Sequence, residues 1–298
     1  MNAAEHIDSL KKQNNALILA HNYCTEEVQD IADHVGDSLG LSMIASKTDA
    51  SVIVFCGVSF MAESAKILNP SKKVLSPEPD AHCPMASMCT AEQLRKERAE
   101  HPGTAIIGYV NSTASSKAEM DLCCTSSNAL KAVSSTKEND ILFVPDHNLG
   151  AYVASKVHKK ISLWEGYCPV HQSITPDNIM KLKGEHPKAV VLAHPECRMS
   201  VLKLADHIGS TEQMIRLSAE TDSNEFIIAT EIGLKHRLKK ENPEKSFYFV
   251  DHAVCSVMKM TTADSVLRVL NNLSNEVVMD WETLKRAAVP LRRMIELK

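Results

Sequence analysis

The sequence predicts an α/β protein built from three pseudo-symmetric small domains, each with a parallel sheet in a three-layer arrangement, placed around a central cavity. The chain repeats itself three times with a period of about 85 to 88 residues, and such a period indicates a repeated structural unit. Each copy contains three short apolar runs with helical patterns between them, which is typical of parallel strands joined by crossovers. Each copy also ends in a loop-like segment that holds one cysteine.

The repeat is clearest where polar motifs coincide. Residues 19–21 align with 192–194, and residues 32–36 align with 205–209, at the same offset of 173 positions and without a gap. The middle copy is more diverged. In every copy a hydroxyl residue lies 17 positions after the polar residue that follows the first apolar run: Ser38 after His21, Ser126 after Tyr109, and Thr211 after His194.

The apolar runs predict three strands in each copy. First strands are predicted at 16–20, 105–108 and 189–193, second strands at 52–55, 141–144 and 226–228, and third strands at 74–75, 161–163 and 247–249. Helices are predicted between the last two strands, at 60–68, 149–157 and 234–240. We expect domains at 1–84, 85–170 and 171–262, with helices in 263–298 packing back on the first domain. Functional loops follow the carboxyl ends of parallel strands. The polar residues after the first strands and the cysteines after the third strands should therefore lie at the same edge of each sheet.

Composition excludes several classes of protein. The 298 residues are 44% hydrophobic, so the chain can bury sizeable cores. A net charge of −4 and a pI near 6.4 argue against a sequence-independent nucleic-acid binder, and we interpret the basic run 235–240 as a solvated helix end. No apolar run approaches the roughly 18 residues of a membrane span. We therefore expect a soluble, cytoplasmic protein with no membrane partner.

Three of the nine cysteines lie at equivalent repeat positions: Cys83, Cys168 and Cys255. A disulfide framework is not expected in a chain without a signal peptide, and the lack of a Cys-x-x-Cys pair disfavours a zinc ribbon. Three thiolates from separate domains better suit a [4Fe-4S] cluster, whose fourth iron would lack a protein ligand. Such an open iron can act as a Lewis acid. The remaining cysteines, such as Cys56 and Cys123, are expected to be packed thiols.

The pairs Asp37-Ser38, Thr125-Ser126 and Ser210-Thr211 each precede a helical stretch. Residues of this type cap helices, and a helix N-terminus also attracts phosphate or carboxylate. Three converging ends predict a pocket for a small, multiply anionic substrate. The loops after the first strands add groups that can move protons or bind oxyanions: His21, Tyr23, Tyr109, Asn111, His194 and Glu196. His171, close to Cys168, is a weaker candidate.

Taken together, these residues resemble the quinolinate synthase family, the NadA-type enzymes of NAD biosynthesis, over almost the whole chain. Many short motifs in the same order carry the resemblance: residues 21–23, 30–33, 36–38, 60–63, 83–86, 109–112, 124–129, 145–150, 168–171, 194–197, 209–211 and 230–233. Any one of these motifs would be weak alone, and their order makes the match specific.

The resemblance implies three similar domains around a central cavity and an oxygen-sensitive [4Fe-4S] cluster held by Cys83, Cys168 and Cys255. It implies condensation of iminosuccinate (iminoaspartate) with dihydroxyacetone phosphate to give quinolinate, phosphate and water, with an L-aspartate oxidase or dehydrogenase as the source of iminosuccinate. The implied substrate site consists of His21, Ser38, Tyr109, Asn111, Ser126, His194, Glu196 and Thr211. We select Tyr23 and Glu196 for proton transfer, with His21 and His194 as further catalytic candidates.

The sequence departs from the family pattern at two places. Some members carry two further cysteines before the third ligand, where this chain has Phe249 and His252, so a disulfide switch is not expected. Cys24 stands where a polar residue is expected, and it is either an oxidation-sensitive group near the site or a packed thiol. Two alternatives stay open: a diphthamide-synthesis-like radical enzyme, which would need S-adenosylmethionine and a protein partner, and a non-catalytic iron-sulfur sensor, which would have no use for an anion pocket.

Overall fold

Residues 3–297 are described by the computed structural model, and they contain three four-stranded sheets in which all paired strands are parallel. The first sheet has the order β2-β1-β3-β4, formed by β1 (Ala16–His21), β2 (His34–Gly36), β3 (Val52–Cys56) and β4 (Lys73–Leu75). Its helices are α1 (Ala3–Asn14), α2 (Glu26–Ile31), α3 (Ser38–Lys47) and α4 (Ser59–Leu68). The central strand β3 is buried along its whole length, as its apolar run predicts.

The second sheet repeats this topology with the order β6-β5-β7-β8. It is preceded by a 3-10 turn at Met85–Met88. The elements that follow are, in order, α5 (Ala91–Glu100), β5 (Ala105–Tyr109), α6 (Ala114–Lys117), β6 (Leu122–Cys124), α7 (Ala129–Ser135), β7 (Asp140–Val144), α8 (His147–Ala154) and β8 (Lys160–Leu163). The predicted helix at 149–157 therefore begins and ends earlier than its apolar pattern indicates. The Asp146 side chain caps it by accepting the Leu149 N–H.

The third sheet has the equivalent order β10-β9-β11-β12. Its elements are α9 (Pro169–Ser173), α10 (Pro176–Glu185), β9 (Val190–Ala193), α11 (Met199–Leu202), β10 (His207–Ile208), α12 (Thr211–Glu220), β11 (Glu225–Ala229), α13 (Leu234–Glu241) and β12 (Ser246–Phe249). The prediction of three small parallel-sheet α/β units is confirmed. The domain boundaries themselves stay a prediction.

The apolar pattern does not predict the short edge strands β2, β6 and β10, which have only two or three residues each. One carboxylate just before each of them ties it to the neighbouring strand. Asp33, Asp121 and Asp206 accept the backbone N–H of Ile18, Ile106 and Val191, each at 2.8 Å. The N–H of each aspartate in turn donates to the carbonyl of the same strand residue. This pair of hydrogen bonds, repeated in each unit, positions an edge strand that is too short to show an apolar pattern in the sequence.

The units contact one another through the helices that follow their first strands. Helix α6 packs on α4, and α11 packs on α8. Helix α2 meets α13, where Asp30 pairs with His236 and Lys240 at 3.0 and 2.7 Å. The interpretation of 235–240 as a solvated helix end holds for the exposed Lys235, Lys239 and Lys240, but it fails for Arg237. Arg237 from this run has only 20% of its side chain exposed and is bonded to Glu212 and Asn22 at the seam between the first and third units.

The last two helices, α14 (Ala263–Asn272) and α15 (Trp281–Glu296), lie outside the three repeats. Helix α14 buries Val266, Val269 and Leu270 in one apolar cluster with Ile7 and Leu10 of α1. Helix α15 contacts α4 and α3 of the first unit and also α6 and β6 of the second, so it bridges two units. Within residues 3–297, none of the helices combines the length and apolar character needed to cross a membrane.

Candidate active site and three-cysteine centre

A central cavity lies where the carboxyl ends of strands from all three units meet. Its lining includes all three repeat cysteines and every residue selected for substrate binding or proton transfer: His21, Tyr23, Ser38, Cys83, Tyr109, Asn111, Ser126, Cys168, His194, Glu196, Thr211 and Cys255. Apolar side chains such as Phe60, Met61 and Met258 complete the wall. The structure therefore brings together side chains that are up to about 230 residues apart in the sequence.

Each cysteine in this cavity stands at the start of a short helical turn and is partly buried. Cys83 precedes the 3-10 turn at Met85–Met88, and Cys168 is the N-cap of α9. Backbone N–H groups two or three positions further on act to lower the pKa of each thiol: those of Met85 and Ala86 for Cys83, that of His171 for Cys168, and those of Val257 and Met258 for Cys255. Such N–H groups stabilise thiolate charge and are one of the features that tune iron-sulfur clusters.

These residues fit a cluster held by three thiolates. Burial raises the pKa of Cys83 to about 12 and raises the pKa of Cys168 and Cys255, so a bound cation is what would hold the sulfurs as thiolates. Two buried carboxylates fix the backbone of this region. Asp146 accepts the N–H of Cys168 at 3.2 Å, and Glu231 accepts the N–H of Cys255 at 3.0 Å.

Another part of the cavity wall is formed by the hydroxyl residues. Asp37 caps α3 by accepting the N–H of Gly40, and Ser210 caps α12 by accepting the N–H of Gln213. The Asp37 carboxylate also accepts hydrogen bonds from Ser127 at 2.7 Å and from Ser210 at 3.4 Å. Residues from all three units therefore meet at Asp37.

The capping prediction is wrong in the second unit. Helix α7 begins only at Ala129, and its N-cap residue Asn128 makes no side-chain cap hydrogen bond. The Asn128 side chain instead accepts the N–H of Thr125 at 2.8 Å, which closes a turn through Ser126 before the helix starts. Ser126 still lines the cavity, but it does so from a turn.

Neutral imidazoles and amides hold the hydroxyls in place across the unit boundaries. Burial lowers the pKa of both His21 and His194 to about 3, so both rings are neutral near pH 7. The His194 Nε2 lies 3.1 Å from the Ser126 hydroxyl, and the Asn22 amide donates to the Thr211 hydroxyl at 2.9 Å. The side-chain oxygen of Asn111 is buried without a hydrogen-bond partner, so it is free to accept one from a ligand.

Four buried side chains form a continuous chain of polar contacts along the cavity. The Tyr23 hydroxyl lies 2.6 Å from Thr230 Oγ1, and this oxygen lies 2.8 Å from His171 Nε2. The other ring nitrogen, His171 Nδ1, lies 2.6 Å from Glu196 Oε2. Thus the two residues selected for proton transfer, Tyr23 and Glu196, are joined through Thr230 and His171.

The surroundings of this chain set the protonation of its two ends. Burial acts to raise the pKa of Glu196, but His171, His194 and a hydrogen bond from Tyr109 outweigh it and hold the pKa well below its usual range. Burial and the Glu196 charge raise the pKa of Tyr23 and Tyr109. At neutral pH Glu196 is therefore an anion, and the Tyr23 and Tyr109 phenols keep their protons.

Sequence reasoning left Thr230 without a role and ranked His171 low. Thr230 directly follows β11, as Gly57 follows β3 and Pro145 follows β7. The candidate site residues predicted from the sequence follow first and third strands, whereas Thr230 follows a second strand. The alignment of the three repeats places Thr230 at the same position as Gly57 and Pro145. Because these three residues are dissimilar, the alignment did not mark Thr230 as a site residue.

Cys24 proves to be a packed thiol. It is fully buried, and its sulfur donates to the carbonyl of Cys56 at 3.4 Å. Cys197 at the equivalent position of the third unit donates to the carbonyl of Ala229 at the same distance, and burial raises the pKa of Cys24 to about 12. The unreactive protonated form is therefore favoured.

The fold and the cavity define a class: a three-unit α/β enzyme with a central polar cavity and one cysteine from each unit. Residues 5–296 match the family described as Quinolinate synthetase A protein. The chain is 51% identical to the quinolinate synthase of Dehalococcoides mccartyi over 98% of its length and 97% of that relative. It is also 51% identical to the quinolinate synthase of Methanosarcina barkeri, over 99% of this chain and 97% of that relative. The chain belongs to the Quinolinate synthetase A family.

Proposed function

We propose that this enzyme condenses iminosuccinate with dihydroxyacetone phosphate to quinolinate, releasing phosphate and water, in NAD biosynthesis. Family membership over residues 5–296 supports the reaction. The observation that carries it in the structure is that one cavity is lined by the three cysteines, two capped helix starts and the Tyr23–Glu196 side chains. An L-aspartate oxidase or dehydrogenase would supply the iminosuccinate.

The anionic groups of both substrates bind near the hydroxyl residues. Helices α3 and α12 start at Ser38 and Thr211 and direct unpaired N–H groups and a partial positive charge toward the cavity. The neutral rings of His21 and His194 add hydrogen-bonding groups without adding charge, and the unpartnered side-chain oxygen of Asn111 can accept a hydrogen bond from a substrate N–H or O–H. The helix starts and the two rings suit phosphate and carboxylate oxygens.

The Tyr23–Thr230–His171–Glu196 chain moves the protons of the isomerisation, cyclisation and dehydration steps. The Tyr23 phenol donates its proton to a departing hydroxyl, which leaves as water. Thr230 then passes a proton to the Tyr23 oxygen and receives one from Nε2 of a protonated His171. The carboxylate of Glu196 stabilises the protonated ring. Transfers in the opposite direction remove a proton from a substrate carbon or nitrogen.

Cys83, Cys168 and Cys255 would hold a [4Fe-4S] cluster. The cluster supplies a Lewis-acidic iron with no protein ligand, toward which substrate oxygen or nitrogen atoms can be oriented. Phe60, Met61 and Met258 keep this part of the cavity apolar. That environment excludes water and strengthens the electrostatic contacts inside the cavity.

An anaerobic assay tests the proposal directly. Cluster-loaded protein is incubated with freshly generated iminosuccinate and dihydroxyacetone phosphate, and quinolinate is measured by chromatography against an authentic standard. We expect quinolinate and phosphate to form in equal amounts. Omission of either substrate is the control, and a lack of quinolinate from protein with full iron content would reject the proposed reaction.

A further inference from the structure

We propose that Cys168, His171 and Glu196 form a second type of metal site, which binds one zinc ion, or a similar divalent transition metal, when the cluster is absent. Within residues 3–297, these three side chains form a group of potential ligands whose donor atoms all lie within 4.8 Å of one another. The site uses only one of the three repeat cysteines. It does not depend on the proposed reaction.

The three donor atoms converge on His171 Nδ1. This nitrogen lies 3.2 Å from the Cys168 sulfur and 2.6 Å from Glu196 Oε2. Around a tetrahedral zinc ion with bonds of about 2.0 to 2.3 Å, ligand atoms are separated by roughly 3.3 to 3.7 Å. His171 Nδ1 would therefore have to separate from each of the other two donor atoms by less than about 1 Å to admit the ion, a change that small χ rotations can supply.

The surroundings already orient the ligands as a zinc site requires. The second nitrogen of His171 is engaged with Thr230 Oγ1 at 2.8 Å, which leaves Nδ1 to face the metal. Asp146 holds the backbone of Cys168. Outer hydrogen bonds of this kind to a ligating histidine fix its tautomer and strengthen metal binding.

The chemistry of the donor set selects the ion. One thiolate, one imidazole and one carboxylate are ligands that zinc accepts, while magnesium and calcium require oxygen donors. Metal binding would release the thiol proton of Cys168, and His171 Nδ1 must carry no proton when it binds the ion. The fourth position would face the cavity, where water or a small anion can occupy it.

This site competes with the cluster for Cys168. A zinc ion held there would remove one of the three sulfurs needed for cluster assembly and would also occupy His171 and Glu196. We therefore expect zinc-loaded protein to resist cluster insertion until the zinc is chelated. The other two cysteines, Cys83 and Cys255, are not needed for the mononuclear site.

The test is anaerobic titration of full-length, cluster-free protein with Co²⁺ and Zn²⁺. Co²⁺ reports thiolate ligands through a charge-transfer band whose intensity scales with their number, and Zn²⁺ displaces it. We expect a single equivalent to bind with the intensity of one thiolate in the unsubstituted protein. The same result is expected in Cys83→Ser and Cys255→Ser, the matched controls that lose the cluster.

Cys168→Ser should abolish the charge-transfer band, and Thr230→Val should weaken binding by about 10- to 100-fold, as expected when an outer hydrogen bond is lost. Circular dichroism of each variant checks that it is folded. Loss of the band in Cys83→Ser or Cys255→Ser, an intensity of three thiolates, or no stoichiometric binding would each overturn the proposal. Because these readouts require neither cluster nor substrate, a failed quinolinate assay would leave this result unaffected.

Discussion

His171 Nδ1 lies 2.6 Å from Glu196 Oε2, and both side chains are buried, with 2% and 3% of their surface exposed. Little water can therefore reach the contact between them. Through Thr230, the opposite edge of the ring reaches the Tyr23 hydroxyl. The pair thus joins a buried anion to the Tyr23 phenol on the cavity wall through hydrogen-bonded groups along which a proton can move.

Breaking this chain at its cavity end should reduce turnover. We expect Tyr23→Phe and Thr230→Val each to lower kcat by about 10²- to 10⁴-fold, the usual contribution of a positioned acid or base. The double variant should be little worse than either single one, because residues that act as a unit are not additive. Steady-state kinetics with equal iron loading measures this. Tyr248→Phe, whose ring stacks on His186 away from the cavity, is the control, and multiplicative losses would contradict a shared chain.

Removing the charge at the buried end should have a similar effect. Glu196→Gln keeps the shape of the side chain but removes the anion that lies 2.6 Å from His171 Nδ1, so we expect kcat to fall by about 10²- to 10⁴-fold. Iron content should be unchanged, because Glu196 is not one of the cysteine ligands. Glu165→Gln is the matched control, since 89% of the Glu165 side chain is exposed. Full turnover of Glu196→Gln would remove this residue from the chemistry.

Replacement of each repeat cysteine should remove the cluster. Cys83→Ser, Cys168→Ser and Cys255→Ser are expected to lose the brown chromophore and the bound iron, because a hydroxyl is a poor substitute for a thiolate on iron. Cys197→Ser is the control, since that buried thiol only donates to the carbonyl of Ala229. Absorbance and iron analysis after anaerobic reconstitution decide the outcome. Iron retained at wild-type levels in any of the three would exclude that ligand.

The repeated aspartates should contribute to stability. Asp206→Ala leaves the N–H of Val191 without its 2.8 Å acceptor, and the loss of such a partner costs about 1 to 3 kcal/mol. Lys183→Ala removes only the exposed 3.5 Å ion pair to the same carboxylate, which contributes roughly 0 to 1 kcal/mol. Urea denaturation of both variants separates the two effects. Equal losses would show that the carboxylate acts through Lys183.

Lys117 should make stability depend on pH in the alkaline range. It is fully buried near the Phe60 ring, and its Nζ donates to the Ser112 carbonyl. Burial lowers the pKa of Lys117 to about 8, so between that pH and the unfolded value of about 10.4 the unfolded chain binds more protons than the folded one. Under this condition the free energy of unfolding rises with pH.

The gain attributable to Lys117 should approach about 3 kcal/mol over that range. Thiols and phenols titrate in the same range, so the measurement is the difference between the unsubstituted protein and Lys117→Met in urea denaturation at about pH 7.5 and 10. As the pH rises, the free energy of unfolding of the unsubstituted protein should increase relative to that of Lys117→Met. A difference that does not change with pH would show that Lys117 keeps an ordinary pKa.

Much of the architecture could be predicted because it depends on local pattern. Runs such as Val52–Cys56 are apolar throughout and have the length of a strand, and the repeat placed their equivalents in all three units. The edge strand at His207–Ile208 could not be predicted, since two residues carry no periodicity. A hydrogen bond from Val191 to Asp206 defines it, and that contact exists only after the chain has folded.

The candidate site shows the same division. Repeat positions selected the three cysteines and the residues after the first strands, because equivalent loops of a pseudo-symmetric protein lie around one axis. Thr230 lies in the 230–233 motif but was assigned no role, because it shares no side-chain type with Gly57 and Pro145 at the equivalent positions. Its role depends on contacts with Tyr23 and His171, which are 207 and 59 residues away in sequence.

The sequence by itself determined the threefold repeat, the parallel-sheet class, the three cysteines and the set of polar residues that face the cavity. These features follow from the spacing of residues along the repeat, because equivalent repeat positions occupy equivalent places in the three units. The tertiary structure decided which of those groups contact one another, which rings are neutral, and that Cys24 is packed. The physical reason is that protonation and hydrogen bonding depend on burial and on distances of a few ångströms between units, and the order of residues along one chain does not specify them.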